Sequence, residues 1–417
     1  MELEYWHNAI IYIVVIVVYI GLAAGKFGKL KLDRSGIALL GAIVLLATGA
    51  LTLQEAIKSI NFPSLIILFG LMTISSHLEL SGFYHFLAKR ISFHIRKPSH
   101  FIPLLILSTG IFSALINNDI VCIAFTPILT MALISKKKEP IPYLIALALA
   151  SNIGCGLTLI GNAQSVVIGE VAHLSFARYS LWAFLPVFLS LISCVLIVKY
   201  LHKHSTVRRK THLLKKSEVQ KIPFNKKQSI KGAVIVFLLV LAFLFGLPRY
   251  LSALVASGLI LLNQDIKSKK ILNGVNWQLL ILFSGLFILM AALQKTHFPE
   301  QVYSWFEGKG VILEKPWITS LFTGVLGNFM NNAAGFILIL QIIEIKQVLS
   351  GYVIALSNAF SGNLFLTSSV ANIIVANEAK KLKVNITFRE FLRYGIPVTL
   401  ASFSILLFWI YITSMFL

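Results

Sequence analysis

Apolar residues run from end to end of this chain in stretches of helix length, with polar positions gathered in the gaps between them. Spans are predicted near 9–25, 36–54, 62–81, 180–200, 231–248, 250–264, 276–294 and 393–416, several of them near the ~20 residues that an α-helix needs to cross a hydrocarbon core. Two further charge-free runs, 141–169 and 347–377, are too long for one straight span and too short for two. Each contains a polar, glycine-bearing interruption, Ser151-Asn152-Ile153-Gly154-Cys155-Gly156 in the first and Ser361-Gly362-Asn363 in the second. Both are expected to be helices unwound within the membrane. The runs 101–135 and 316–343 are split at Asn117-Asn118-Asp119 and Asn331-Asn332, leaving halves too short to span, so they are read as re-entrant hairpins. Irregular backbone at that depth is tolerated only where protein or a water-filled cavity satisfies its N–H and C=O groups. The pattern therefore predicts a polar cavity.

The second half echoes the first. Asn61-Phe62 followed by Gly70-Leu71 matches Asn276-Trp277 followed by Gly285-Leu286, 215 residues on (276 − 61). Thr109-Gly110 and Asn117-Asn118 match Thr323-Gly324 and Asn331-Asn332, and Tyr143 with Ile145-Ala146-Leu147 matches Tyr352 with Ile354-Ala355-Leu356. The expectation is an all-α polytopic membrane protein of two repeats, 1–200 and 231–417, joined by a connector over 201–230. Each repeat has five transmembrane helices and one re-entrant hairpin, 98–138 in the first and 314–346 in the second. An odd number of spans turns the second repeat upside down relative to the first.

Composition agrees with a lipid environment: 417 residues, 57% hydrophobic and 13% charged, with a mean hydropathy of +0.83. The net charge of +21 would suggest nucleic acid in a soluble protein. Here the basic residues fall between apolar segments and on alternate loops: Lys26 to Arg34, Lys89 to Lys97, Lys136 to Lys138, Lys267 to Lys270, Lys380 to Lys383, and the connector with Arg208-Arg209-Lys210. By the positive-inside rule that side is cytoplasmic, both termini are outside, and the setting is the cell inner membrane. The connector reads as a basic linker drawn to anionic lipid, with no nucleic-acid role. Cys122, Cys155 and Cys194 lie inside apolar segments and read as small buried hydrophobes. The N-terminus lacks the positive region of a cleavable signal, so the first span is expected to be retained.

Polar side chains at membrane depth face a cavity or a partner, because hydrocarbon offers them neither. One constellation joins Asn117, Asn118 and Asp119 to Ser151, Asn152, Thr158, Gly161, Asn162, Gln164 and Ser165; the other joins Asn331 and Asn332 to Ser361, Gly362, Asn363, Thr367, Ser368, Ser369 and Asn372. Unwound helices expose carbonyls suited to a hard cation, and half-helix N-termini offer N–H groups to an anion. Na+ is placed near Asn118, Asp119 and Asn152, and no other cofactor is expected. The bland alternative is that Asn, Ser and Gly only join closely packed helices. Asp119 has no counterpart in the second repeat, where Ala333 stands, and is read as a cation site or a proton relay. His77 and Glu79 form a second candidate proton step or an interfacial pair, while Glu170 and Glu378 are expected at the wet ends of the broken helices.

These residues resemble the ion transporter superfamily that includes arsenite permeases, citrate transporter-like proteins, sodium/proton antiporters and divalent anion/sodium symporters. The elements that carry the resemblance are Ser113 to Asp119 with Pro127, Asn152-Ile153-Gly154 through Gly161-Asn162, Gly362-Asn363-Leu364 through Asn372, and Asn276-Trp277 leading into Gly285-Leu286. The resemblance implies an elevator-type architecture, in which a transport domain carries substrate past a scaffold domain, and a homodimer built through scaffold helices. It also implies one site at Asn117, Asn118 and Asn152 and a mirror image at Asn331, Asn332 and Asn363. The chain departs from the Thr-Pro-x-Gly-Asn-Pro pattern of the permease branch in having Thr158-Leu159-Ile160-Gly161-Asn162-Ala163. The expected function is secondary active transport of a small anion, an oxyanion or carboxylate, coupled to Na+ or H+. A Na+/H+ antiporter using Asp119 and an ion channel are the alternatives. Neither a Walker-type loop nor paired catalytic groups at membrane depth point to an enzyme.

Overall fold

The computed structural model describes residues 2–24, 32–96, 98–203, 223–329, 332–343, 345 and 347–415. Among these the chain is helical throughout, without strands. The first half contributes α1 (Glu2–Ala24), α2 (Arg34–Ala47), α3 (Leu53–Ser59), α4 (Phe62–Leu80), α5 (Phe83–Ser92), α6 (Pro98–Ile116), α7 (Asn118–Ser135), α8 (Ile141–Cys155), α9 (Ala163–Val171) and α10 (Phe176–Lys203). The second contributes α11 (Lys226–Leu244), α12 (Arg249–Leu261), α13 (Ser268–Asn273), α14 (Trp277–Lys295), α15 (Phe298–Gly308), α16 (Pro316–Phe329), α17 (Asn332–Ile342), α18 (Val348–Ser361), α19 (Val370–Lys381) and α20 (Phe388–Thr413). Among the described residues eight helices are long and apolar enough to cross a membrane. This is an all-α polytopic membrane protein.

The Asn-aromatic motif that recurs at 61 and 276 is a helix start. Asn61 Oδ1 accepts from Ser64 N at 2.9 Å and caps α4, and Asn276 Oδ1 accepts from Leu279 N at 3.1 Å and caps α14. Each thereby satisfies one of the four N–H groups that a helix leaves unpaired at its start. Thr52 and Glu55 form a capping box on α3. Lys295 first, and the cap second, hold the Glu55 carboxyl down at about 2, so this short helix is tied to the end of α14.

Helix pairing is reciprocal. α4 packs along α12 and α14 along α2, and both seams close on a glycine. A Cβ built on Gly70 would lie 2.7 Å from the Ala253 carbonyl oxygen, and one on Gly285 would lie 2.9 Å from that of Ala38. The two glycines and the two alanines are each 215 residues apart (285 − 70 and 253 − 38). Within each half the helix entering the hairpin packs on the first segment of the broken helix, α6 on α8 and α16 on α18, while α10 and α20 pack together between the halves.

Several expectations are corrected. The halves of the first hairpin, α6 and α7, have 19 and 18 residues and reach spanning length, because α6 begins at Pro98 and α7 takes Asn118 and Asp119 into its first turn. The second hairpin does have short halves, with α16 at 14 and α17 at 11 residues. The predicted span 36–54 ends at Ala47, and α3 is separate because Thr52 starts a new cap. In 141–169 the helix continues through Ser151-Asn152 and opens only at 156–162, whereas 347–377 opens at 362–369 as expected. The connector over 204–222, Lys26, Lys29, Lys31, Lys97 and Asn331 lie outside the described residues.

Replacing Gly70 or Gly285 by leucine drives a side chain into the backbone of the neighbouring helix and is expected to cost about 1–3 kcal/mol or more. Gly258→Leu, where nothing lies within 4 Å, is the control. Melting in detergent should show a lowered Tm for the first two variants and no loss for the third.

Candidate functional site

The two helix breaks meet. Asn152, in the last turn of α8, is 2% exposed and sits at the centre of a hydrogen-bond hub that joins the halves of the chain. Its Nδ2 faces three acceptors: Asn372 Oδ1 at 2.9 Å, Asn363 Oδ1 at 3.1 Å and the Gly362 carbonyl at 3.2 Å. Its Oδ1 accepts from Ser369 Oγ at 2.9 Å and Asn118 Nδ2 at 3.4 Å. Asn372 Nδ2 donates to the carbonyls of Gly362 and Phe365, at 2.7 and 3.1 Å. Two carbonyls of the open chain at 362–369, those of Gly362 and Phe365, are thus met by asparagine amides, the first from both halves.

The first break is held in the same manner. Asn118 N donates to the Gly161 carbonyl at 3.0 Å, Thr158 Oγ1 to the Ala114 carbonyl at 2.5 Å, and Asn162 Nδ2 to Cys155 Sγ at 3.1 Å. A Cβ on Gly161 would lie 2.2 Å from the Cys155 carbonyl oxygen, so only glycine lets the chain pass. Asn117, between α6 and α7, has φ 127° and ψ 133°, a conformation that costs a non-glycine residue free energy and persists where the surroundings enforce it. Its side chain caps α7 by accepting from Asp119 N at 2.9 Å.

Beside the hub lies a cavity of about 60 Å³. Asn118 and Asp119 from the start of α7, Asn162 and Gln164 from the start of α9, Ser369 and Val370 from the start of α19, and Arg34, the first residue of α2, line it together with Asn152 and Cys155. Four helix N-termini therefore converge on one small space, and each brings a partial positive charge. Their caps, Asp33, Asn117, Asn162 and Ser369, take one N–H apiece. Arg34 adds a full positive charge and Asp119 a full negative one. Neither side chain has an ion pair or hydrogen bond among the described residues. Buried Asn363 Nδ2 is likewise unpartnered. The space has room for a few waters and falls well below the ~300 Å³ at which pockets for organic ligands begin.

The candidate residues separate by role. Asn118, Asp119, Asn152, Asn162 and Ser369 line the cavity, and Asn363 and Asn372 sit on its hub. Ser151, Thr158, Ser361 and Ser368 point elsewhere. Ser151 Oγ meets the Ala148 carbonyl and Cys122 Sγ, Ser361 Oγ donates to the Asn358 carbonyl, and Ser368 Oγ to Asn328 Oδ1 at 2.5 Å. Thr367 is exposed. Asn332 opens α17, and its side chain lies outside the description. His77 is fully buried among protein groups, with Nε2 3.1 Å from the Gln228 carbonyl and Nδ1 3.4 Å from Asn263 Nδ2. Neither His77 nor Glu79 lines the cavity. Glu170, in the last turn of α9, is 14% exposed and ion-paired to Arg249 at 2.7 Å.

Three contributors escaped the reading of the sequence. Arg34 was counted with the loop charges, although its 215-residue spacing from Arg249 repeats that of the asparagine caps. Asn328 holds Ser368. Asn358 occupies in α18 the place of Asn152 in α8, as the shared Ser-Asn-x-x-x-Gly spacing at 151–156 and 357–362 indicates. Asn363, paired with Asn152 from sequence, is instead its hydrogen-bond partner.

A family model described as citrate transporter matches residues 13–352. The chain is 25% identical over 397 residues to an uncharacterized transporter of Mycobacterium tuberculosis, covering 89% of this chain and 92% of the relative. It is 21% identical to the putative transporter arsB of Dictyostelium discoideum (89% and 86% covered) and 23% identical to the silicon efflux transporter LSI3 of Oryza sativa (90% and 92%). Among solved structures, the YdaH transporter of Alcanivorax borkumensis matches with a TM-score of 0.62 over 99% of each chain at 14% identity. MtrF of Neisseria gonorrhoeae, from a class of antimetabolite efflux pumps, matches with a TM-score of 0.55 at 12% identity, over 97% of this chain and 94% of that one. These two likenesses concern the fold alone.

Removing the hub and removing a lining group should have different consequences. Asn152→Ala leaves several buried polar groups without partners, at about 1–3 kcal/mol each, and should lower the Tm sharply. Asn118→Ala breaks one long contact and should leave the Tm within a few degrees while abolishing saturable flux in proteoliposomes. Equal Tm losses in the two variants would show that both are structural.

Proposed function

The chain belongs to the citrate transporter family, and on that premise we propose that it is a secondary active transporter that moves a small anion, an oxyanion or carboxylate, across the cell membrane. The observation that carries this reading is the convergence of four helix N-termini and the unpaired Arg34 on one polar cavity at the helix breaks. Electropositive helix ends in a low-dielectric surround favour an anion, and their fixed geometry needs little reorganisation on binding. Amides and hydroxyls supply most of the remaining lining, so cargo is held without a multiply charged cage and can leave.

Asp119 supplies the coupling. Its carboxylate, together with the amide oxygens of Asn118 and Asn152, offers oxygen ligands for Na+ or a site for H+, either of which offsets the negative charge beside the anion. The two halves act as an inverted pair, which supports alternating access as sliding of the hub and hairpin tips past the remaining helices, with the connector on the cytoplasmic side. The same carboxylate favours a second reading, a Na+/H+ antiporter in which Asp119 exchanges the two cations and no anion moves.

A thermal-shift screen of the purified protein against citrate, phosphate and sulfate, with and without Na+, separates the two. Anion transport predicts stabilisation by at least one anion, enhanced by Na+ or by acid, and lost in Asn118→Ala. Antiport predicts stabilisation by Na+ alone. Asp119→Asn should abolish coupled uptake while leaving anion exchange; persistence of gradient-driven uptake in this variant removes Asp119 from the coupling site.

A further inference from the structure

Arg34 has a twin. Arg34 and Arg249 each open the second helix of their half, α2 and α12, at the 215-residue interval (249 − 34) that also separates the asparagine caps. They lie toward opposite ends of the bundle. Asn263, just beyond α12, contacts His77 near the end of α4, so Arg249 at the start of α12 lies at the far end. Ser76, also near the end of α4, donates to the Ile271 carbonyl just before α14, and Arg34 shares its cavity with Leu279 and Leu282 from the first turns of α14.

Their partners differ completely. Arg249 Nε is 2.7 Å from Glu170 Oε1, and its Nη2 donates to the Gly169 carbonyl at 2.6 Å, with the two charged side chains only 15% and 14% exposed. A Cβ on Gly169 would come within 2.9 Å of Arg249 Nη1, so the guanidinium is pressed against the last turn of α9. A helix C-terminus bearing a carboxylate is where a cation is best held. Arg34 has no such partner among the described residues. The glutamate that would serve it, Glu378, stands nine residues beyond the cap of α19, as Glu170 stands eight beyond the cap of α9. It is paired instead with Lys381 of its own helix at 2.5 Å. One sequence arrangement occurs twice and is joined only once. An asymmetry of that kind in a chain with repeated halves marks a state.

We propose that Arg34 and Arg249 are the two gates of the transport cycle, each holding a helix-end glutamate when its end of the bundle is shut and turning to the transported anion when that end opens. In this structure Arg249 is docked on its glutamate and Arg34, beside the cavity, is not docked on Glu378. In the opposite state Arg34 docks on the end of α19 at Glu378, and Arg249 is freed toward the cargo. The guanidinium fork fits planar oxygen pairs and roughly tetrahedral oxyanions alike, so the glutamate occupies on the shut side the place that the anion takes on the open side. The anion half of this proposal rests on the transport reading above; the gating half does not.

Cys155 lines the cavity and reports on both halves. With Cys122 and Cys194 replaced by alanine, it is the single thiol, and a membrane-impermeant methanethiosulfonate applied to either face of reconstituted vesicles measures which end is open. The expected result is labelling chiefly from the Arg34 face in the parent, with several-fold more from the opposite face in Glu170→Gln and in Arg249→Gln. The charge-reversed pair Arg249→Glu/Glu170→Arg should return toward the parent, and Arg249→Lys should lie between. Unchanged sidedness in both neutral variants, each monodisperse in detergent, overturns the gates. Independently, Arg34→Gln should raise the KM for whichever of citrate, phosphate or sulfate is carried by about tenfold, with a smaller change in kcat and partial rescue by Arg34→Lys. An unchanged KM removes Arg34 from the anion site. A shift in sidedness with none of the three anions carried leaves the gates standing and sinks the anion reading.

Discussion

Hydrocarbon offers no partner to a peptide N–H or C=O, and every other feature of this molecule answers to that constraint. The chain opens at 156–162 and again at 362–369, and an opened helix in lipid is affordable only if something replaces the lost bonds. Asparagine does so here because its amide carries donor and acceptor on one short stem. Asn152 and Asn372 between them serve the Gly362 and Phe365 carbonyls, and the Gly161 carbonyl is met by Asn118 N. Each break is thus completed by groups from elsewhere in the chain, the second by an asparagine from the other half. The two breaks cannot separate without exposing unsatisfied backbone, so α8, α9, α18 and α19 are bound into one unit.

That binding has an electrostatic consequence. Holding the breaks together points the starts of α7, α9 and α19 into one space, and Arg34 at the start of α2 completes it. Fixed dipoles of like sense then act where water is scarce and screening weak. Apart from Arg34 and Asp119 the lining of that space is uncharged.

Much of this was legible from the order of residues. Charge-free runs of wrong length disclosed the broken helices, since lipid thickness sets the ruler. The asparagine pair at 117–118 disclosed the turn between α6 and α7, where Asn117 caps α7. The position of the first break was displaced because Ser151 and Asn152 look like helix breakers in a soluble context, yet here Ser151 bonds back to the Ala148 carbonyl and remains helical. The amphipathic α5 and α15 were missed because they neither span nor carry a motif. Arg34 was read as a loop charge, since one basic residue at the edge of an apolar run looks the same whether it faces lipid headgroups or a cavity.

The sequence by itself determined that this is a polytopic helical membrane protein with two similar halves and polar chain within its apolar runs, because hydropathy, length and repeated spacing are properties of the chain alone. Only the tertiary structure decided which polar residues serve as joinery and which line the cavity, that Asn152 rather than any hairpin residue is the hub, and that one of two equivalent arginines is neutralised while the other has no partner among the described residues. Those outcomes depend on distances between segments some two hundred residues apart, and no local pattern encodes which of two symmetric contacts a folded molecule has made.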